Sequence, residues 1–424
     1  MPRARPDLRG IQSSVAPDFS RQALCIQGLL CDLVTLEQAK QRILASIRES
    51  RRCNLVTPNA SFLRLSRSDP EFRDAVLASD LSVIDGMPLV WCARMLGTAV
   101  PDRVCGSDLG AALMADPDEQ FSAFFFGATT EVGQRLRQRL DERPCSLRCA
   151  GVLSPGFGSV ESMSHARTFD TINRAHPDLL IVSIGAQKGV LWLNRNEHRL
   201  TPPVVCNLGA TIHFMAGTVK RAPAFFRRHG LEWLWRIKEE PALCTRYARD
   251  LATLISVMIG QILPSLVQAA LRQPSAERLA RARLRHHHWG GTEILEFVGD
   301  FTKDNLAPVR AALTKATRNA CDLAIVLDGV TFVDAAFLGQ ILLAYGYQRR
   351  THRGFRLKAS GRQIRNLLRL HGCGYLLLAD DKSPEVGSDA RRNGQISDKG
   401  SRRPWNRTIA SRAIASLRSR SNGH

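Results

Sequence analysis

Val56-Thr57-Pro58-Asn59-Ala60, Ile84-Asp85-Gly86-Met87-Pro88 and Arg103-Val104-Cys105-Gly106-Ser107-Asp108, all within residues 54–108, decide how this chain folds. In the first two, an apolar strand-like run stops at a small polar cluster and a helical pattern follows at once, as at the carboxyl ends of strands in an open α/β sheet. Ligands bind at such ends. Asp85 is therefore expected at one strand tip, Thr57 and Asn59 at the tip of another, and Arg103 in a following loop. A carboxylate, two neutral hydrogen-bonding groups and a guanidinium around one crevice suit group transfer.

Outward from this stretch, strand and helix patterns alternate from Ala23 to about Asp250. Helical spacing covers Leu36–Ser50, with Thr35 and Gln38 placed as a capping box, and begins again at Ser61, Glu71 and Met87. Strand runs are expected at Cys53–Thr57, Ser82–Asp85, Ser122–Phe126, Leu179–Ile184 and Val204–Leu208, with Thr130 as the N-cap of a helix from Glu131 to Leu140. Alternation of this kind predicts a mainly parallel, Rossmann-like doubly wound sheet.

Leu251–Leu271 carries no charge and is flanked by Arg246, Arg249 and Arg272. About twenty helical residues rise roughly 30 Å, enough to cross a bilayer, but Gln261, Pro264, Ser265 and Gln268 favour a helix lying in the interface over a simple span. A buried core or oligomer helix is the competing reading. Gln273–Gly291 reads as a basic linker whose His286, His287 and His288 form a solvated run without a site. Residues 292–380 then alternate strand and helix as a second, smaller α/β unit. Residues 1–22 read as a disordered leader and 381–424 as a disordered basic tail.

Lysine and arginine number 59 against 39 acidic residues, a formal charge of +20, so anionic partners are expected. Basic helices, zinc-finger spacings and RNA-binding aromatic signatures are all missing from the sequence, which argues against nucleic acid and for a membrane face or phosphorylated molecules. Eleven cysteines, odd in number and never in a C-x-x-C pair, point to reduced thiols in a cytosolic compartment.

Asp85 admits two readings at this stage, a general base for a sugar hydroxyl or an N-cap for the helix beginning at Met87. Thr57 and Asn59 are pocket residues or turn and cap residues. Arg103 is a diphosphate ligand or a solvated arginine. Asp116-Pro117-Asp118 has the D-x-D form that presents a metal to a nucleotide diphosphate, yet its turn-forming neighbours read as a surface turn. No metal and no cofactor are expected.

T-P-N-A, then D-P-E-F-R (Asp69–Arg73), D-G-x-P, R-V-x-G-S-D-L (Arg103–Leu109), A-G-T-V-K-R-A-P (Ala216–Pro223), G-L-E-W-L-W-R (Gly230–Arg236) and Glu240-Pro241 resemble, in order and spacing, the TagA/WecG/CpsF glycosyltransferases. The resemblance covers residues 24–250 and implies an inverting, metal-independent enzyme that moves a sugar from a UDP-sugar donor to a polyprenyl-diphosphate-linked acceptor. It also implies a homo-oligomer at the cytoplasmic face of the plasma membrane, working in surface or exopolysaccharide assembly. Carried over by motif, Asp85 corresponds to the catalytic base. Thr57, Asn59, Gly86, Arg103, Asp108, Arg236 and Arg246 correspond to substrate-binding positions, and Gln187, offset by two residues, is the candidate substitute for a glutamine that the family pattern places there. Two departures stand out. Gly185-Ala186-Gln187-Lys188-Gly189-Val190 replaces G-x-P-K-Q-E, and Ile212-His213-Phe214 replaces F-D-F.

F-V-G-D-F (Phe297–Phe301) and V-L-D-G-V-T-F-V-D-A-A-F-L-G (Val326–Gly339) resemble STAS domains. Many of those carry a phosphorylatable serine just after the aspartate matching Asp334. Ala335 holds that place here and has no hydroxyl to modify. The resemblance leaves a binding module, with a partner protein or a nucleotide as its expected ligand. Two functions are thus carried forward: a membrane-associated glycosyltransferase, or a catalytically weakened transferase fold that serves as a scaffold through the STAS-like unit.

Overall fold

Six apolar runs pair in parallel as one sheet in the order β4-β3-β8-β7-β5-β6, where β3 is Cys53–Val56, β4 Leu81–Ser82, β5 Phe121–Phe126, β6 Leu147–Leu153, β7 Leu179–Val182 and β8 Val204–Asn207. The computed structural model describes residues 17–115, 120–142, 146–209, 211–219, 222–223, 225–226, 230–272 and 274–377. The Asp116-Pro117-Asp118 turn, Lys220 and Arg221 of the A-G-T-V-K-R-A-P run, most of the leader and all of the tail lie outside them.

Ahead of the sheet, β1 (Ala23–Ile26) and β2 (Leu29–Asp32) form a hairpin, and a single bridge from Asp32 to Val83 attaches it to the β4 edge. Helices α1 (Leu36–Arg48), α2 (Ala60–Ser68), α3 (Pro70–Leu77), α4 (Met87–Met95), α5 (Gly106–Met114), α6 (Thr130–Glu142), α7 (Ala166–Arg174), α8 (Ala186–Asn196) and α9 (Thr211–Ala216) cover the sheet. The α1 capping box forms as expected, Thr35 accepting from the Gln38 amide while Gln38 accepts from the Thr35 amide. All six residues of β5 are buried because helices cover both faces of a parallel sheet. Two local readings are corrected. α6 begins at Thr130 itself, where Thr129 Oγ1 accepts from the Val132 amide at 3.4 Å. The run ending at Asp85 pairs as a strand only at Leu81–Ser82, since Asp85 has left the ladder to face the crevice.

Beyond β8, α10 (Glu232–Glu239) leads to a long helical run. It consists of α11 (Cys244–Val257), a π turn at Met258–Ile262 and α12 (Leu263–Arg272). Among the described residues, Pro241–Arg272 is the one helical stretch long and apolar enough to cross a membrane, and only 17% of its most apolar window is buried. It lies along the protein. Asp250 is buried between Arg64, 2.7 Å from it, and Ser61, and Val257 and Ile262 enter the core. Leu251, Ile255, Ile259, Leu263, Val267 and Leu271 remain exposed, every fourth residue. An α-helix turns about 100° per residue, so such a stripe would wind around a regular helix. The wider π turn at its middle rotates less per residue and holds the stripe closer to one side. A buried core helix is therefore ruled out for this face.

The second unit begins earlier than its pattern suggests. After α13 (Ala276–Ala280), residues 283–289 form β9 (Arg283–Trp289), an edge strand paired antiparallel with β10 (Thr292–Phe301) across Gly290-Gly291. Both glycines have positive φ, 58° and 78°, as a two-residue hairpin turn requires. The expected linker at 273–291 is thus largely structured, because the backbone of its histidine run completes the β10 edge. α14 (Leu306–Arg318), β11 (Asp322–Val333), α15 (Ala335–Arg350), β12 (Phe355–Lys358) and α16 (Arg362–Leu370) complete a four-stranded sheet of order β12-β11-β10-β9.

The two units share a core. α15 lies directly on β1 and the end of α3, where Gly339 and Gly346 remove the side chains that would keep the backbones apart. A Cβ at Gly339 would fall 2.3 Å from the Ala23 carbonyl oxygen, and one at Gly346 2.0 Å from that of Leu77. Phe19, Ala23, Cys25, Leu30 and Leu77 pack in the same apolar cluster as Phe337, Leu338 and Ile341. The leader therefore ends before Phe19, and Arg21 is buried against Asp32 by two hydrogen bonds of 2.9 and 2.7 Å. Around this contact, Asp74 accepts from Tyr345 and Arg349 at 2.8 Å each, and Arg350 binds Asp80 at 2.8 Å and Glu197.

Candidate active site

The exits of β3 and β4 lie side by side, and the Asp85 amide donates to the Pro58 carbonyl at 2.8 Å, tying the two strand tips together. Gly86, at φ 125°, turns the chain into α4, and its place facing Asn59 Cβ would tolerate a side chain only with backbone strain. The cap of α4 is Gly86, with no side-chain hydrogen bond, so Asp85 does not serve as its cap. Asn59 does act as a cap, its Oδ1 accepting from the Ser61 and Phe62 amides at 3.0 and 3.3 Å. Thr57 is buried beside it.

The loop after α4 returns along the same edge, with the Val104 amide bonded to the Ile84 carbonyl at 2.9 Å. This places the first turn of α5 against Asp85, whose ionised form is favoured by the Gly106 amide. α5 can sit there because Gly106 and Gly110 face α9, where a Cβ would meet Thr211 at 3.3 and 2.8 Å.

Asp85 is one of three carboxylates around one guanidinium. Arg103 binds Glu232 from α10 and lies 3.9 Å from Asp108. Burial is the largest influence on Asp85 and raises its pKa. Arg103 lowers it, whereas Glu232 and Asp108 raise it again, and the result is about 7. A carboxyl titrating there can hold or release a proton at neutral pH. Cys105, whose thiol donates to Asp108 at 2.7 Å, is pushed up to about 12 by burial and by the nearby carboxylates, so it stays a neutral thiol.

The remaining sequence candidates are dispersed. Gln187, at the start of α8 beyond β7, donates to Asp69 at 2.7 Å, and the adjacent Lys188 binds the Gly158 carbonyl at 2.7 Å. Arg236 lies one helical turn after Glu232, bonded to Glu240 at 2.9 Å and 5.9 Å from the Phe214 ring centre. Arg246 is exposed on α11 over Tyr247. Thr57, Asn59, Asp85, Gly86, Arg103 and Asp108 therefore converge, while Gln187 and Arg246 do not join them. Where G-x-P-K-Q-E is replaced, a Cβ at Gly189 would fall 2.3 Å from Asn207 Oδ1, so a glycine–asparagine contact fills that place.

Two members of the site escaped sequence reasoning. Glu232 sits inside the quoted G-L-E-W-L-W-R run, and Cys105 occupies the variable position of R-V-x-G-S-D-L. Each had a motif as its signal, but nothing local told its partner. Trp91, Phe225, Trp233 and Leu234 are exposed apolar side chains on α4, on α10 and in the segment before α10. Gly230 lies against Met87 and Trp91, which brings α4 and the start of α10 together.

Comparison with known proteins gives two family matches. The model described as glycosyl transferase WecG/TagA/CpsF family matches residues 24–267, and one described as Mlab, STAS domain matches residues 284–378. Curated relatives include three enzymes named N-acetylglucosaminyldiphosphoundecaprenol N-acetyl-beta-D-mannosaminyltransferase. The Bacillus spizizenii protein is 26% identical over 237 residues, which is 56% of this chain and 83% of the relative. That of Bacillus subtilis is 24% identical over 187 residues, 44% and 70%. That of Staphylococcus aureus is 25% identical over 215 residues, 50% and 82%.

Proposed function

Since the chain belongs to the WecG/TagA/CpsF glycosyltransferase family, with a STAS domain at residues 284–378, we propose that it transfers a sugar, of the N-acetylmannosamine type or a hexose, from a UDP-sugar to a polyprenyl-diphosphate-linked acceptor in bacterial envelope or exopolysaccharide synthesis. The observation that carries the mechanism is Asp85 among Arg103, Asp108 and Glu232, with its pKa near 7.

In this mechanism the Asp85 carboxylate accepts the proton of the acceptor hydroxyl as its oxygen bonds to the anomeric carbon of the donor. The bond from that carbon to the diphosphate oxygen breaks, and UDP leaves with the electron pair. One displacement inverts the anomeric centre. Thr57, Asn59 and Gly86 shape the sugar pocket. Arg103 and Arg236 supply positive charge for the diphosphates, the role a metal plays elsewhere. The exposed aromatic and leucine side chains near the crevice receive the first isoprenoid units, and the stripe from Leu251 to Leu271 rests on the cytoplasmic membrane face. Homo-oligomerisation on that face is part of the same reading.

The test is transfer of labelled sugar from a panel of UDP-sugars to a polyprenyl-diphosphate-linked acceptor, with Asp85→Asn beside the wild type. A drop of roughly 10³-fold with UDP affinity within about twofold is expected when a general base is removed. Unchanged turnover removes Asp85 from the mechanism. The replacement of the Gln-Glu pair by Gly189 and Val190 favours one alternative, a scaffold. Folded wild-type protein that transfers from no donor would establish it.

A further inference from the structure

We propose that His288, Glu293 and Cys321 form a binding site for a divalent transition-metal ion of the zinc class, positioned by His286 and Asn319. The site lies at one end of the STAS-domain sheet.

The hairpin builds it. Gly290-Gly291 fixes the register so that His288 pairs directly opposite Glu293 and His286 opposite Leu295. Side chains alternate along a strand, so His286 and His288 share the face of Glu293 while His287 points to the other. Cys321 immediately precedes β11, which runs parallel to β10 with Asp322 beside Thr292. An imidazole nitrogen, a carboxylate oxygen and a sulfur from three chain segments consequently lie within 4.8 Å of one another. Bond lengths of about 2.0–2.3 Å set tetrahedral donors roughly 3.5 Å apart, so the widest gap here has to close by roughly 1 Å to hold an ion.

The surroundings are those of an oriented ligand set. Glu293 is buried, and its two oxygens are held separately. Oε2 lies 2.6 Å from His286 Nε2, whereas Oε1 lies 3.0 Å from His288 Nδ1 and accepts from Asn319 at 2.8 Å. A carboxylate fixed in this way by an outer histidine and an amide is the arrangement that tunes metal ligands. His288 is more than half exposed and Cys321 partly so, which gives the ion an entry path and a solvent-facing fourth position. The Cys321 thiol, which donates to the Asn319 carbonyl at 3.2 Å, gives its proton to solvent as the sulfur binds. Nitrogen, oxygen and thiolate together select zinc, or cobalt as its spectroscopic substitute, over magnesium or calcium.

The full chain, stripped with chelator and titrated with Co²⁺, is expected to take up a single equivalent and develop a thiolate-to-cobalt charge-transfer band. Cys321→Ser is expected to abolish that band, and His288→Ala to weaken binding at least tenfold. His287→Ala and Cys244→Ser are expected to leave both unchanged, and circular dichroism verifies the fold of each variant. Cobalt uptake without a thiolate band overturns the proposal and leaves a hydrogen-bonded histidine–glutamate network. A band that survives Cys321→Ser but disappears in Cys244→Ser overturns it too, by placing the metal on the exposed thiol of α11.

Discussion

The carboxylate–arginine clusters of the crevice at Asp85 and of the face where α15 docks differ in how their charges balance. At the docking face Asp74, Asp80 and Glu197 are met by Arg349 and Arg350, with Arg52 also 3.5 Å from Glu197. Arg350 stays protonated because two carboxylates offset its burial. In the crevice Asp85, Asp108 and Glu232 share Arg103, and burial first, then the two neighbouring carboxylates, raise the Asp85 pKa. Matched charge holds two domains together. Burial joined to unmatched charge leaves a group that exchanges protons at neutral pH.

The comparison is broken most severely by Gly346→Val. A Cβ there meets the Leu77 carbonyl oxygen at 2.0 Å, backbone that cannot yield. The expected cost is about 3 kcal/mol or more, read as a large drop in melting temperature with both domains unfolding in one transition. A transferase that melts normally while the STAS domain alone unfolds would show that the docking face is not structural.

Asp85→Asn sharpens the other side. Because folding raises the Asp85 pKa from 3.8 to about 7, its contribution to stability is complete below pH 4 and is lost as pH rises through 7. The full shift is worth about 4 kcal/mol and solvent screening roughly halves it, so the substitution is expected to stabilise the protein by about 2 kcal/mol at pH 8 and by nothing at pH 3.5, measured by urea unfolding at the two values. Equal effects at both would mean that Asp85 is not under charge stress.

Glu232→Gln gives the smallest effect and the most specific. Removing one surplus carboxylate and releasing Arg103 both favour ionised Asp85, so its pKa moves down. The ascending limb of kcat/KM against pH, expected near 7 in the wild type, should shift to lower pH by up to about one unit. A shift upward would contradict the charge balance described for the crevice.

Much of this was legible in local pattern. The strand tips at Thr57 and Asp85, the α1 capping box and the strand–helix order of both domains follow from apolar periodicity and turn residues, which depend only on near neighbours. The histidine run shows where such reading fails. His286–His288 lacks apolar alternation, so nothing local marks β9, yet β10 offers an unpaired edge and the Gly290-Gly291 turn delivers the strand to it. The leader fails similarly, since Phe19 and Arg21 become core residues only because α15 and Asp32 are there to receive them.

By itself the sequence determined the alternation of elements, the motif order that marks the transferase and STAS families, and the placement of Asp85 at a strand exit. Tertiary structure alone decided that Glu232, 129 residues from Arg103, closes on it, that Gly339 and Gly346 fuse the two domains, and that one face of the apolar helix stays uncovered. The physical reason is range. Helix and strand propensities act over a few residues, whereas burial, charge balance and pKa depend on everything within a few ångströms, and that neighbourhood exists only after the chain has folded.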